Sequence, residues 1–146
     1  MIELNGSDLS LEKVWKIASG EKVCVSADAM QRVKASRDIV DRLIEDNRVV
    51  YGITTGFGHL CNTRIERSDL ERLQTNLIRS HATGVGDPFP KDAVRAMIAI
   101  RINSLLHGVS GVRPELIEAL AALVNEDVIP WVPQQGSVGC SGDLAP

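Results

Sequence analysis

Aromatic residues are scarce in this sequence, where two Trp, two Phe and one Tyr make up 3% of 146 residues. A core built from this chain must therefore be aliphatic and pack through Leu, Ile, Val and Ala side chains. No apolar run approaches the roughly 20 residues that a membrane-spanning helix needs. The first ten residues, MIELNGSDLS, contain no basic segment followed by an apolar stretch, as a secretory signal would. These absences predict a chain that does not enter a membrane.

Positive charge and cysteine are also in short supply. The chain has 16 Lys and Arg residues against 19 Asp and Glu residues, a net charge of -3, and no basic block. This balance excludes binding to nucleic acid or a membrane surface by bulk electrostatics. Cys24, Cys61 and Cys140 are odd in number and far apart, which argues against a disulfide framework or a zinc knuckle. The sequence predicts a protein of the reducing cytoplasm.

The spacing of apolar residues predicts a mainly α-helical chain with a few short β-strands near the N-terminus. Ser10 and Gly20 suit the start and the end of a first helix, and SDLE at 68–71 has the form of a capping box. The helix expected at 91–106 is apolar almost all round, so we expect neighbours to bury it on several sides. The expected strands are 2–4 and 22–26; the expected helices are about 10–18, 26–46, 68–79, 91–106 and a segment from Pro114.

Glycine is concentrated in three segments, YGITTGFG at 51–58, SHATGVGDP at 80–88 and GSVGCSGD at 136–143. None of them has the GxGxxG pattern between a strand and a helix, and no Lys follows as in a P-loop. A plain phosphate-binding loop is therefore a weak interpretation of each. Cys140 and Ser141 also lack the Gly-x-Ser-x-Gly pattern of a nucleophile elbow.

The backbone of Cys140-Ser141-Gly142 offers a different chemistry. If the chain bends sharply, the amide nitrogen of Gly142 can attack the carbonyl carbon of Cys140 and close a five-membered ring, because glycine hinders that approach least. Loss of one water from the ring and one from Ser141 leaves an exocyclic methylidene. This group is a strong electrophile of a kind that no side chain supplies, and strained backbone of this type is found at functional sites. An ordinary glycine turn is the alternative.

The surroundings of these segments resemble the aromatic amino-acid ammonia-lyases and aminomutases, most of all the histidine-deaminating members. Four stretches carry the resemblance, occur in the family's order and cover most of the chain after residue 48: YGITTGFG (51–58), NLIRSHATGVGDP (76–88), INSLLHGVSGVRPELI (102–117) and PQQGSVGCSGDLAP (133–146). Members of the family are several times longer. The resemblance implies that residues 1–146 form a single N-terminal domain of the helical, fumarase/aspartase-like ammonia-lyase fold, with the C-terminal helical part absent.

The resemblance also assigns the electrophile. It implies that Cys140, Ser141 and Gly142 form a protein-derived 4-methylidene-imidazol-5-one, with Asp143 assisting the cyclisation. Asp143 could instead only cap a following helix. The family usually has Ala where this chain has Cys140, but ring closure uses the carbonyl of this residue and not its side chain. No metal and no soluble cofactor are implied.

Two further residues match family positions. Tyr51 matches the catalytic tyrosine that removes the substrate β-proton, and His81 matches a position that contacts the substrate ring. From the residues alone, Tyr51 could be a packed hydrogen-bonding anchor, and His81 could be a helix-end residue satisfied by carbonyls. Thr54, Thr55 and Asn103 could form hydrogen bonds in the pocket or only in loops and helix contacts.

The implied activity is that of a carbon–nitrogen lyase acting on a small amino acid, as a cytoplasmic homotetramer when full length. The histidine-deaminating members convert L-histidine to trans-urocanate and ammonia. A tyrosine ammonia-lyase or tyrosine aminomutase is the nearest rival. A module that only assists folding or assembly, and a glycine-loop anion binder, are rivals of other classes. We expect the isolated 146-residue chain to be inactive, because family active sites combine several segments.

Overall fold

The computed structural model describes residues 1–56, 58, 61, 63, 65 and 67–136. The chain divides into two compact units. The first unit contains Met1–Asp38 and Pro88–Val132, and the second contains Ile39–Asp87 and Pro133–Pro146.

The first unit begins with a small parallel sheet. Strand β1 (Ile2–Leu4) pairs with β2 (Val23–Val25), with Ile2 opposite Val23 and Leu4 opposite Val25. Helix α1 (Leu11–Ala18) forms the crossover that two parallel strands require. Ser10 is its N-cap, and the Ser10 hydroxyl accepts a hydrogen bond from the Lys13 amide at 3.3 Å. The predicted N-terminal strands and the predicted first helix are confirmed.

Four more helices follow in the described part of the chain: α2 (Ala27–Glu45), α3 (Leu70–His81), α4 (Lys91–Leu105) and α5 (Pro114–Asn125). The mainly α-helical class is confirmed, and Pro114 is the first residue of α5 as expected. Helix α4 packs against both α1 and α5 around an aliphatic core. The buried residues of this core include Leu4, Ile17, Val94, Ile102, Leu106, Ile117 and Val124.

Helix α4 is less enclosed than its composition suggests. Val94, Ile98, Ala99, Ile102 and Leu105 are buried, whereas the side chains of Met97 and Ile100 are 40% and 48% exposed. The expectation that neighbours bury this helix on several sides is therefore wrong. One face packs into the core, and another carries apolar side chains that are partly in contact with solvent.

One charged side chain lies inside the first unit. Arg95 on α4 is 4% exposed, and its guanidinium donates to the main-chain carbonyls of Ile17 at 2.9 Å, Val124 at 2.8 Å and Glu21 at 3.1 Å. It also donates to the carboxylate of Asp127 at 3.0 Å. The last turns of α1 and α5 leave carbonyls without helical partners, so Arg95 joins the ends of both helices.

The predicted capping box at 68–71 is wrong. A 3-10 turn covers Arg67–Asp69, and α3 begins at Leu70 with Asp69 at the N-cap and no side-chain capping bond. The carboxylate of Asp69 instead pairs with Arg72 at 3.1 Å. The 3-10 turn contains Ser68, the expected N-cap, so that α3 begins after Asp69 and not after Ser68. Helix α3 also continues two residues beyond the expected end and includes His81.

The structure also has a second two-stranded sheet, which the sequence did not predict. Strand β3 (Val85–Pro88) is hydrogen-bonded to β4 (Pro133–Gln135). Among the residues that the structure describes, no helix is both long and apolar enough to cross a membrane.

Candidate functional site

Tyr51 opens a turn of residues 51–54 that follows α2. Its side chain is 61% exposed, and its phenol oxygen accepts a hydrogen bond from the amide of Gly58 at 3.4 Å. The amides of Ile53 and Thr54 donate to the carbonyl of Val50, at 3.1 and 3.0 Å, which closes the turn. The turn thus presents the phenol at the surface of the second unit.

Two threonines directly after this turn are buried. Thr54 and Thr55 are 6% and 0% exposed. The Thr54 hydroxyl accepts from the Val50 amide and donates to the Arg48 carbonyl, at 2.9 and 2.5 Å. The Thr55 hydroxyl accepts from the Gly52 amide and donates to the Gly56 carbonyl, at 3.3 and 3.0 Å. Both threonines therefore bond to the backbone of the loop that carries Tyr51.

His81 is the last residue of α3 and is half-buried. Its Nδ1 atom lies 2.8 Å from the main-chain carbonyl oxygen of Leu77 and 2.9 Å from the hydroxyl of Ser80. A carbonyl oxygen only accepts hydrogen bonds, so the contact with Leu77 requires a proton on Nδ1. In the neutral imidazole, Nε2 is then a hydrogen-bond acceptor. The Leu77 contact at the helix end favours the Nδ1–H tautomer of the neutral ring, in which Nε2 is the acceptor.

The strand that follows His81 runs very close to β4. A Cβ atom at Gly84 would lie 2.1 Å from the Cγ atom of Pro133, a distance that no real Cβ contact shows. Gly86 has φ +84, a conformation that side chains rarely adopt, and faces Gln135. The glycines of SHATGVGDP therefore allow its backbone to pair with β4, the strand that leads toward the third glycine-rich segment.

The structure describes two of the six predicted site residues. Tyr51 and His81 both lie in the second unit. Cys140, Ser141, Gly142 and Asp143 lie outside the described residues. The pairing of β3 with β4 brings residues 85–88 and 133–135 together, and Cys140 stands five positions after Gln135 in the sequence.

From the sequence alone, Thr54, Thr55 and Asn103 could form hydrogen bonds in a pocket or only in loops and helix contacts. Of the three, Thr54 and Thr55 form loop contacts, and the side chain of Asn103 accepts from the Gly6 amide at 3.0 Å in the first unit. A threonine pair between a turn and a glycine gives no signal of burial, because Thr is mostly exposed in folded proteins. The pairing of β3 with β4 carried no signal either, since VGDP lacks the alternation typical of a strand.

Comparison with known proteins defines the class of this chain. The model of the family described as aromatic amino acid lyase matches residues 9–146. The chain belongs to the aromatic amino acid lyase family, as the four sequence stretches indicated.

Individual relatives are lyases and aminomutases. Histidine ammonia-lyase of Streptococcus gordonii is 52% identical over 147 aligned residues, which are 100% of this chain and 29% of that protein. Tyrosine aminomutase from Streptomyces globisporus superposes with a TM-score of 0.89 at 39% identity, covering 94% of this chain and 26% of that chain. Histidine ammonia-lyase from Trypanosoma cruzi superposes with a TM-score of 0.84 at 36% identity, covering 94% and 27%. The chain therefore spans less than a third of the length of these relatives.

Proposed function

We propose that this chain is the N-terminal domain, residues 1–146, of a histidine ammonia-lyase, which converts L-histidine to trans-urocanate and ammonia by non-oxidative elimination. The observation that carries the proposal is the His81 contact with Leu77, which favours the neutral tautomer in which Nε2 is a hydrogen-bond acceptor. An acceptor at this position suits a substrate ring that has an N–H donor, as imidazole does. The 52% identity to a histidine ammonia-lyase over the whole chain supports the same substrate.

Cys140, Ser141 and Gly142 would form the prosthetic group, a 4-methylidene-imidazol-5-one. The chemistry of these residues fits it: Cys140 provides the carbonyl, Gly142 an unhindered nitrogen, and Ser141 the hydroxyl that is lost with its α-hydrogen. Asp143 would assist by accepting a proton or by fixing the bend. When formed, the group supplies an electrophilic alkene that makes the substrate amine a better leaving group. Strand β4, held against β3, anchors the chain shortly before this tripeptide.

Tyr51 is proposed as the general base. Its side chain is exposed on a closed turn, and its phenol oxygen accepts a hydrogen bond from the Gly58 amide, which restrains its direction. A general base must come within hydrogen-bond reach of the proton that it removes. In this proposal Tyr51 takes the β-proton of histidine, and His81 holds the ring through Nε2.

A tyrosine ammonia-lyase or tyrosine aminomutase is the second candidate. The phenol O–H of tyrosine is also a donor and could bond to Nε2 of His81. The structural similarity to the tyrosine aminomutase of Streptomyces globisporus favours this alternative. The products separate the candidates, since they are urocanate, a coumarate or a β-amino acid.

The assembly and the location belong to the same proposal. We expect the complete enzyme to be a cytoplasmic homotetramer, and we expect the 146-residue chain alone to have negligible turnover because its relatives contribute more than twice as much further sequence to each subunit. Cys24 and Cys61 are free thiols, which is compatible with a reducing compartment.

A chimera tests the function. The 146-residue chain is joined to the C-terminal remainder of the Streptococcus gordonii enzyme and incubated separately with L-histidine and L-tyrosine, with urocanate followed by absorbance. We expect urocanate from the chimera and none from the 146-residue chain. Intact mass and peptide mapping should show a loss of two waters, about 36 Da, within residues 140–142, and the Ser141→Ala variant should lack both this loss and the activity.

Two results would contradict the proposal. One is an active chimera whose tripeptide is linear. The other is a chimera that releases a coumarate or a β-amino acid from tyrosine and no urocanate from histidine. Thermal stabilisation by phosphate, together with an unmodified tripeptide at 140–142, would support the anion-binding alternative instead.

A further inference from the structure

The side chains of Thr54 and Thr55 are unusual in their burial. Among the described residues, the buried polar or charged side chains are these two threonines and Arg95. Burying a hydroxyl without a partner costs free energy, and both hydroxyls avoid this cost by bonding to backbone groups of one loop. Two adjacent buried hydroxyls directed at the same loop indicate a role in its conformation.

The two hydroxyls bond to the residues directly before and after Tyr51. The amide that Thr54 receives belongs to Val50, the residue before Tyr51, and the amide that Thr55 receives belongs to Gly52, the residue after it. Each hydroxyl also donates to a carbonyl, that of Arg48 for Thr54 and that of Gly56 for Thr55. The Gly52 amide belongs to the peptide group that follows Tyr51, and the Val50 amide belongs to the residue before it, so both neighbours of Tyr51 are tied to buried side chains.

The exposure of Tyr51 makes these ties important. Its side chain is 61% exposed, so packing in a core does not fix the position of its backbone. Backbone hydrogen bonds fix it instead: two bonds close the turn on Val50, and the loop is further held by bonds from Ile65 to Thr54 and from Gly56 to Thr63, at 3.0 and 3.1 Å. The threonine hydroxyls add the contacts that reach the two residues adjacent to Tyr51.

We propose that Thr54 and Thr55 are positioning residues that hold the Tyr51 phenol in place for proton transfer, an inference that rests on the proposed function. Neither threonine touches the substrate in this proposal. They act through the Val50 and Gly52 amides, and their loss allows the turn to change its conformation. Proton transfer is sensitive to such changes, because a displacement of about 1 Å of a reacting group can lower a rate by about 100-fold.

Valine and serine substitutions separate the hydroxyl from the volume of the side chain. Thr→Val keeps the shape but removes both hydrogen bonds, whereas Thr→Ser keeps the hydroxyl and loses a methyl group. In the chimera described above, we expect Thr54→Val and Thr55→Val to lower kcat by about 10- to 100-fold with little change in KM. Thr54→Ser and Thr55→Ser should retain kcat within about threefold. Thr75→Val, at an exposed position of α3, is the matched control and should behave as the unsubstituted chimera.

Amide hydrogen exchange gives a readout that is independent of activity. In the 146-residue chain, Thr54→Val should speed exchange of the Val50 amide, and Thr55→Val that of the Gly52 amide, by about tenfold or more. Circular dichroism establishes that each variant retains its helices. Unchanged protection of both amides in folded valine variants would overturn the proposal.

The two proposals fail in different ways. An active chimera in which both valine variants keep the unsubstituted kcat overturns the positioning role and leaves the function intact. An unsubstituted chimera that forms no product overturns the proposed function, and the exchange rates then still decide whether the hydroxyls hold the turn. A fall in kcat that serine does not rescue also overturns the role of the hydroxyls, because it assigns the effect to packing.

Discussion

At Arg95 a guanidinium group lies inside an aliphatic core, where an unpaired charge would be costly. It is tolerated because three main-chain carbonyls and the Asp127 carboxylate accept its hydrogen bonds. Bonds to charged groups are stronger than those between neutral groups. The stability of the first unit should therefore depend strongly on this one side chain.

The Arg95→Met variant tests this dependence. Methionine retains the apolar stem but removes the guanidinium donors to the carbonyls of Ile17, Glu21 and Val124. We expect the free energy of unfolding to fall by about 3 kcal/mol. Urea denaturation followed by circular dichroism measures it. Arg101→Met, at an exposed position of the same helix, should change the value by about 0.5 kcal/mol or less. Equal effects of the two variants would show that Arg95 does not join the helices in solution.

At the scale of elements, Gly84 lies directly before β3, where the chain approaches β4 closely. A Cβ atom at Gly84 would lie 2.1 Å from Pro133 Cγ, and because the proline ring is stiff, the strands must separate to accept it. We expect Gly84→Ala to lower the free energy of unfolding by about 1–3 kcal/mol. The double variant Gly84→Ala/Pro133→Ala removes the Cγ atom and should recover part of this loss. A double variant no more stable than Gly84→Ala would show that the two residues do not meet.

The elements also show how far the sequence could predict the fold. Helices and the N-terminal strands were predictable because their signals are local, as with Ser10 before α1 and Pro114 at the start of α5. The capping box failed because Asp69 pairs with Arg72 and a 3-10 turn precedes α3, a competition between local interactions that the motif does not reveal. The pairing of β3 with β4 depends on residues far apart in the chain.

The candidate site was predictable to a different degree. Tyr51 and His81 were found through the family resemblance, whereas their surroundings needed the structure. The burial of Thr54 and Thr55 depends on tertiary packing, and the contact of His81 with the Leu77 carbonyl depends on α3 continuing to His81. The roles proposed for Tyr51, His81, Cys140, Ser141, Gly142 and Asp143 stay predictions.

At the scale of the whole molecule, its response to acid follows from carboxylates on the surface of the first unit. A hydrogen bond from Lys16, and then its charge, holds the pKa of Glu12 below its ordinary value. A hydrogen bond from Lys91 lowers the pKa of Asp127, and the charges of Lys91 and Arg95 add to this effect. A carboxylate whose pKa is lower in the folded chain stabilises it above the ordinary pKa. That stability is lost as the pH falls through the lower folded value.

Thermal unfolding at a series of pH values measures this effect. Asp127→Asn should unfold at a lower temperature than the unsubstituted chain at about pH 7, and the difference should shrink as the pH falls below about 4. The exposed position of Asp127 limits the size of the effect, and added salt should reduce it. Glu118→Gln, at an exposed position of α5, is the control. A difference for Asp127→Asn that is constant from about pH 7 to about pH 3 would contradict the assignment.

The bonding of Arg95 has a consequence for how this domain can diverge. Three of its four acceptors are peptide oxygens, at Ile17, Glu21 and Val124, and every amino acid carries such an oxygen. Mutations that replace the side chains at these three positions leave the acceptor where it was. The single Arg95 side chain thus keeps its hydrogen bonds to three residues of the chain even when the side chains of those residues change.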